Sequence, residues 1–416
     1  MNSTKKQSRF YLILILGLMS AIGPLSIDMY LPAFPSLATG LKTSVATVTL
    51  SLSSFFIGIS IGQLLYGPLL ERFGRKMPLY FGLSLYAIAS FACATAVSVE
   101  MLILFRFFQA LGGCVGMVAS RAMVRDLFDV KENAKVFSTL MLVIAVSPII
   151  APTLGGFITT YLGWRYIFIM LIMVIAAILA GTYFLLPDSK GPDTSYSLKP
   201  MSILSNFASI IKHPQFALFT FSGSIASAGL YAFISGSPYV FIEFFKVSQQ
   251  HYGWFFGFVA SGLIGSSQLN SVILKKYSSE QIIKAALYFQ TTVAILLVST
   301  AFFGMANLYS TVILIFLFLC CQGFIFPNTS ALSMAPFGHN AGSASALMGF
   351  IQMSLGAFMS AMVSVLHNKT TLPMTGVMAF CSVTASLIYA LNKSKVIQQP
   401  SIELVEEEEV EMVNTL

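Results

Sequence analysis

The sequence predicts an all-α membrane protein of twelve transmembrane helices in two six-helix bundles. Three observations carry that expectation. Hydrophobic residues make up 56% of the 416 and charged ones only 9%, with a mean hydropathy of +0.82, far from the roughly 25% charge of soluble domains. Apolar runs of about 20 residues, enough to cross about 30 Å of hydrocarbon as helix, recur along the chain. Period-two alternation is absent, which excludes a β-barrel, so helices must satisfy the backbone in lipid.

The runs fall at 10–32, 46–69, 77–97, 101–122, 136–160, 165–186, 215–240, 251–274, 281–304, 309–333, 341–366 and 372–391. Lys and Arg collect on the cytoplasmic side of a membrane. With the N-terminus inside, alternate loops hold Lys5, Lys6, Arg9; Arg72, Arg75, Lys76; Arg121, Arg125, Lys131, Lys135; Lys190, Lys199, Lys212; Lys275, Lys276, Lys284; and Lys393, Lys395. That is 18 inside against four outside (Lys42, Arg165, Lys246, Lys369), with Arg106 left well inside a span, away from either end. Both termini are therefore expected on the cytoplasmic side, and the net charge of +7 reports topology with no nucleic-acid partner. The first run is too long for a signal-peptide core and lacks a small-x-small cleavage site, so it reads as an uncleaved helix. The five cysteines lie within spans and imply no disulfide framework.

Residues 187–213 form the longest internal hydrophilic stretch and divide the chain into a bundle at 1–186 and another at 214–391, followed by an acidic tail at 392–416. Such a six-plus-six plan suits a secondary transporter whose cargo binds near the midplane between two rocking halves.

The motifs narrow the class. "GPLLERFGRK" (67–76) joins the second and third spans: Gly67 and Gly74 permit close backbone approach, and Glu71, Arg72, Arg75 and Lys76 form a charged latch. Asp126 closes the fourth span as a second acid. In the fourth span, "LILFRFFQALGGCVG" carries Arg106 and Gln109, a cation that costs roughly 2.5–3.5 kcal/mol in lipid unless it faces water or a partner. The one carboxylate within a span and away from a loop is Asp28. Helix arithmetic puts it about 5 Å, and Arg106 about 7 Å, below the same outer surface. Matching depth suggests that they share a cavity and interact, directly or through water; a purely structural pair is the plainer alternative. The fifth span carries Ser147, Ala151, Pro152, Gly155 and Gly156, where the prolines and paired glycines allow a bend or a close helix contact.

These stretches resemble the signatures of the major facilitator superfamily: the loop motif, with Glu71 where the family usually has Asp; the fourth-helix motif, its glycine displaced to Gly112 and Gly113; and the antiporter motif, with Ser147 and Ala151 replacing glycines. "DMYLPAFPSL", "RAMVRDLF" and "AGSASALMGFIQ" resemble the Bcr/CflA branch of drug:proton antiporters. The resemblance implies two pseudo-symmetric bundles, gating by the 67–76 loop with Asp126, and proton-coupled export of small amphipathic drugs across a bacterial inner membrane, with Asp28 titrating and Arg106 tuning it. It implies cavity-lining positions at Tyr30, Gln109, Gly113, Tyr231, Tyr239, Gln322 and Asn328. Export or symport of one dedicated metabolite, such as a siderophore, is the second reading; a membrane enzyme or sensor is the third.

"GISIG" (58–62) matches a nucleophile pattern but sits in an apolar helix, where its glycines make a packing face. No Walker loop, H-E-x-x-H or dinucleotide motif occurs. Neither cofactor nor metal is expected, and energy must come from an ion gradient. The expected partners are protons, a small-molecule cargo and the bilayer, the chain acting as a monomer.

Overall fold

A computed structural model describes residues 2–128, 130–193, 200–338 and 340–397. In chain order these form α1 (Asn2–Asp28), α2 (Phe34–Gly40), α3 (Val45–Arg72), α4 (Lys76–Ala94), α5 (Val99–Leu127), α6 (Val130–Tyr161), α7 (Arg165–Leu185), α8 (Pro200–Lys212), α9 (Pro214–Pro238), α10 (Gln249–Ile273), α11 (Ser279–Phe302), α12 (Leu308–Met334), α13 (Ala341–Val365) and α14 (Leu372–Ile397). The tail beyond 397 lies outside the described residues.

Among the described residues, eleven helical spans are long and apolar enough to cross a bilayer, α1 and α2 counting as one, Phe10–Gly40. The twelfth expected span is α10, which at 25 residues is about 37 Å long. Among its polar residues, Asn270 is buried and accepts from Asn328 Nδ2 of α12 at 2.7 Å. Polar side chains turned into a bundle do not face lipid.

Helix starts follow short polar residues in the connections. Ser44, Ser98, Ser248, Ser278 and Asn307 each accept from the backbone N–H three residues on, satisfying one orphan donor of the helix. Inside the first bundle, Gly58 and Gly62 press α3 onto α5, where an added Cβ would come within 2.5 Å of the Phe107 carbonyl and 2.7 Å of Cys114 Cβ. That close approach is how helices gain contact where lipid gives no hydrophobic drive, and it accounts for "GISIG" without chemistry.

Two features depart from the sequence expectation. The chain after α1 does not loop out but tightens into a 3₁₀ turn, Leu31–Ala33, and then α2. The central stretch 187–213 is not all loop, because Pro200–Lys212 forms α8. Its buried Ile210 joins Phe216 and Leu347 in a small core, while Asn206 exchanges hydrogen bonds with Asn340 and donates to Ser343 at the start of α13.

The halves meet along two seams, α3 with α13 and α6 with α10. On α3, Ala46, Ser53 and Ser60 recur every seven residues and so share a face. Ser364 donates to the Ala46 carbonyl, Ser53 bonds Ser360 at 2.8 Å, and Ser60 bonds Ser354 at 2.7 Å. On the other seam an added Cβ at Gly156 would collide with the Gln249 carbonyl and one at Gly253 with Thr153; Gln249 also donates to Ser36 at 2.9 Å. These contacts run from the end of the molecule holding Asp28 to mid-helix. The halves are pressed together at the Asp28 end, opposite the end that holds Arg75.

Candidate functional site

Arg106 is fully enclosed within the first bundle. Its guanidinium carbon lies 4.4 Å from the Tyr30 ring centroid and 4.1 Å from that of Phe55. One nitrogen donates to Gln109 Oε1 at 2.6 Å and another to the Ser26 carbonyl at 3.1 Å. That carbonyl is available because of how α1 ends. Met29 N–H donates to Leu25 and Tyr30 N–H skips to Ile27, leaving Ser26 without its helical partner. Arg106 therefore caps the negative end of the α1 dipole in a place water does not reach.

The expected direct contact between Arg106 and Asp28 is absent: among the described residues no Lys or Arg nitrogen lies within 4.0 Å of the Asp28 carboxylate. The two residues stand at neighbouring levels, Arg106 reaching the carbonyl two residues before Asp28, but depth arithmetic ignored the helix azimuth. Ser26 Oγ bonds Tyr86 on α4 at 2.5 Å, and two residues further turn the side chain by about 200°. Asp28 thus looks the other way, toward Ser147 of α6 and within Coulomb range of Tyr252 on α10. Ser147 is buried, yet its hydroxyl has no hydrogen bond of proper geometry. Tyr252, from the other half, is occupied by Ser237 at 2.7 Å. Asp28 itself is buried, 5% exposed, where α1, α6 and α10 converge.

The positions expected to line a cavity divide. Tyr30 and Gln109 are fully buried beside Arg106, with Tyr30 bonded to Ser51 at 2.7 Å and Gln109 to Ser90 at 2.8 Å. Gly113 lies against the Tyr86 ring, in the α4–α5 packing. Gln322 is held inside the second bundle by Ser227 and the Ala226 carbonyl, and Asn328 by Asn270. In this conformation these five belong to bundle interiors, because their polar groups are satisfied there. Tyr231 does reach between the halves, its ring 4.9 Å from Phe56 of α3. Tyr239 sits at the Asp28 end against His367, 4.3 Å between rings.

At the opposite end the loop motif builds a compact charged cluster. Arg75, 3% exposed, donates to Asp126 at 2.8 Å, to Glu71 at 2.9 Å and to the Leu70 carbonyl at 3.1 Å. Burial opposes its charge, but the hydrogen bonds to Asp126 and Glu71 outweigh that and hold its pKa above the usual arginine value. Gly74 has φ +78°, and an added Cβ would approach the Lys190 carbonyl at 3.1 Å, so glycine is required there. Gly67 has nothing within 4 Å of an added Cβ; the expectation of a close approach at that glycine is corrected. Lys190 pairs with Glu71 at 2.6 Å, Lys76 with Asp188 at 3.2 Å, Ser189 donates to Asp126 at 3.2 Å, and Arg72 donates to the Asp193 carbonyl at 3.4 Å. Sequence reasoning missed this connection to residues 188–193, where the only signal was alternating charge.

The antiporter-type stretch acts by close packing, not by a break. α6 runs unbroken through Pro148 and Pro152, Ala151 is fully buried, Gly155 lies against the Met29 carbonyl at the end of α1, and Gly156 against Gln249 of the other half. Ser147 to Gly156 thus line the approach from Asp28 to the seam.

A helical bundle pair with charged latch, small-residue seams and an acid at the junction defines a membrane transporter and not an enzyme. The Major Facilitator Superfamily profile matches residues 16–361, and the chain belongs to that family. It is 34% identical to an uncharacterized MFS-type transporter, YdgK, of Bacillus subtilis over 95% of this chain and 98% of the relative. It is 30% identical to a bicyclomycin resistance protein homolog of Haemophilus influenzae, with 92% and 96% covered. Multidrug resistance protein D of Escherichia coli is similar too, 25% identical with 88% of this chain and 91% of the relative covered. The fold is shared with a D-xylose-proton symporter at TM-score 0.72 and 16% identity, covering 91% of this chain and 97% of that one.

Proposed function

We propose that this transporter exports small amphipathic compounds in exchange for protons, by alternating exposure of a cleft between its halves, and that Asp28 carries the proton. The observation that supports this most is the position of Asp28: a carboxyl buried at the junction of both halves with, among the described residues, no cation beside it. Keeping an unpaired carboxylate in such a place costs several kcal/mol, on the order of what its neutral form avoids. A protonated Asp28 therefore permits the halves to close around it, and a deprotonated one favours opening to water at that end. Cargo leaves with the deprotonated form, and a proton returns with the neutral one. Two couplings make the cycle an exchange.

The remaining elements take supporting roles. Arg106 fixes the end of α1, and so the direction in which Asp28 points. The Glu71–Arg75–Asp126 cluster holds the α3–α4 turn at the opposite end, where it gates the cleft. The excess of Lys and Arg on that side supports a cytoplasmic location for it and for both termini, in a bacterial inner membrane. Resistance relatives support drug-like cargo.

Everted vesicles carrying the full chain test the reading. Addition of bicyclomycin-like or chloramphenicol-like compounds should collapse a preset pH gradient faster than in vesicles without the protein. A gradient insensitive to every drug but discharged by one cellular metabolite would contradict drug export in favour of a dedicated exporter.

A further inference from the structure

Arg121 plays no part in the mechanism above. Arg121 of α5 is solvent-accessible yet set deep among neighbouring groups, with Cys114 within Coulomb range. Among the described residues it has no ion pair and no side-chain hydrogen bond. Two acids at that end, Asp126 and Glu71, are engaged with Arg75 and Lys190. Asp28 is remote, since 15 residues of helix, about 22 Å, separate Arg121 from the level of Arg106.

Helix register shows where Arg121 points. Met117, one turn before it, touches Gly23 of α1, and Cys114, two turns before it, touches Gly62 of α3. Arg121 lies on the strip of α5 between those two helices. α3 packs on the second half through α13, and α1 leads into the turn that packs on α10 and α9. The strip between them accordingly faces the cleft. Arg121 is six residues from the end of α5, about 9 Å below the mouth, and Arg125 follows one turn nearer the opening. In the second half, at similar depth, Ser224, Ser330 and Gln352 line a crevice with Phe326 and Met348, a surface of hydrogen-bonding groups on an apolar wall.

A guanidinium without a carboxylate, open to the cleft, recognises a carboxylate, sulfonate or phosphate group by paired hydrogen bonds and repels cations. We propose that Arg121 is the residue that selects the cargo, and that the preferred cargo is an amphipathic organic anion or a zwitterion presenting its anionic group, taken up from the end of the cleft that holds Arg75. The inference rests on the efflux reading and names its substrate class. Coupling stays conformational, because Asp28 and the anion occupy opposite levels of the same cleft. Export of an anion from a compartment held electrically negative adds about 2.3 kcal/mol of driving force per 100 mV.

The test compares one scaffold in two charge states, tritiated 1-naphthylacetate and its methyl ester, on the full-length protein in nanodiscs. The wild type should bind the carboxylate at least tenfold tighter than the ester. Arg121→Gln should lose that preference, leaving ester affinity within twofold, while Arg121→Lys retains part of it. Equal binding of acid and ester by the wild type, or an unchanged preference in Arg121→Gln, overturns the proposal. Loss of both ligands in Arg121→Gln with an unaltered thermal transition also overturns it, since the residue would then not discriminate charge. Proton-driven uptake of the ester in liposomes reports on the efflux reading separately: it can succeed while the anion preference fails, or fail while the preference stands.

Discussion

Asp28 and Arg106 lie at similar depth in one bundle, and their surroundings could hardly differ more. Arg106 is surrounded by its own half: two aromatic faces, an amide oxygen and the orphan carbonyl at the end of α1. Asp28 sits two residues beyond that carbonyl on the opposite face of the helix, with Ser147 and the second half before it and no counter-ion. A charge whose partners all belong to one bundle keeps its surroundings if the halves rock. A charge at the seam changes surroundings with every stroke. The contrast separates a cation that builds the site from an acid suited to switching.

Substitutions break this contrast to graded extents. Arg106→Ala should have the largest effect on stability, lowering it by about 2–4 kcal/mol, since it orphans the Ser26 carbonyl and Gln109 amide and removes two cation–π contacts. Thermal unfolding in detergent reads this, with Arg106→Lys intermediate because an ammonium lacks the planar fork. Gly156→Val should place a wedge against Gln249 and disfavour closure at the Asp28 end by about 1–3 kcal/mol. With the five native cysteines replaced, a Ser147→Cys probe should then react faster with an impermeant maleimide added from the Asp28 side; an unchanged rate would mean that the seam does not gate access. Asp126→Asn leaves Arg75, 3% exposed, short of its best partner and should cost about 1–2 kcal/mol in unfolding free energy. Asp188→Asn should stay within about 0.5 kcal/mol, because its pair with Lys76 is solvent-exposed.

Much of the architecture was legible in the sequence, because bilayer thickness imposes run length and the basic residues follow topology. The loop motif was also legible: residue order anticipated a tight turn at Gly74, while the choice of Arg75 among Arg72, Arg75 and Arg125 as the partner of Glu71 and Asp126 needed the structure. Helix α8 was not anticipated, although Ile203, Leu204, Phe207, Ile210 and Ile211 recur at helical spacing; a hydrophilic stretch hid an amphipathic one. The cavity positions fared worst. Gln109, Gln322 and Asn328 are polar residues in apolar helices, a pattern that fits a wet cleft and a hydrogen-bonded bundle interior equally well, and only tertiary packing decides. The same limit lies behind the expectation that Asp28 and Arg106 interact, directly or through water, since matching depth does not say which helix stands opposite each side chain.

The central claim concerns Asp28 and is tested most directly by Asp28→Asn in proteoliposomes, assayed for exchange of labelled cargo and for accumulation driven by an imposed pH gradient. A neutral side chain of the same shape should let the halves close and reopen, so cargo exchange continues at a rate near that of the wild type while gradient-driven accumulation disappears. Accumulation by the variant at the wild-type rate would contradict the account, and the proton carrier would have to be sought elsewhere.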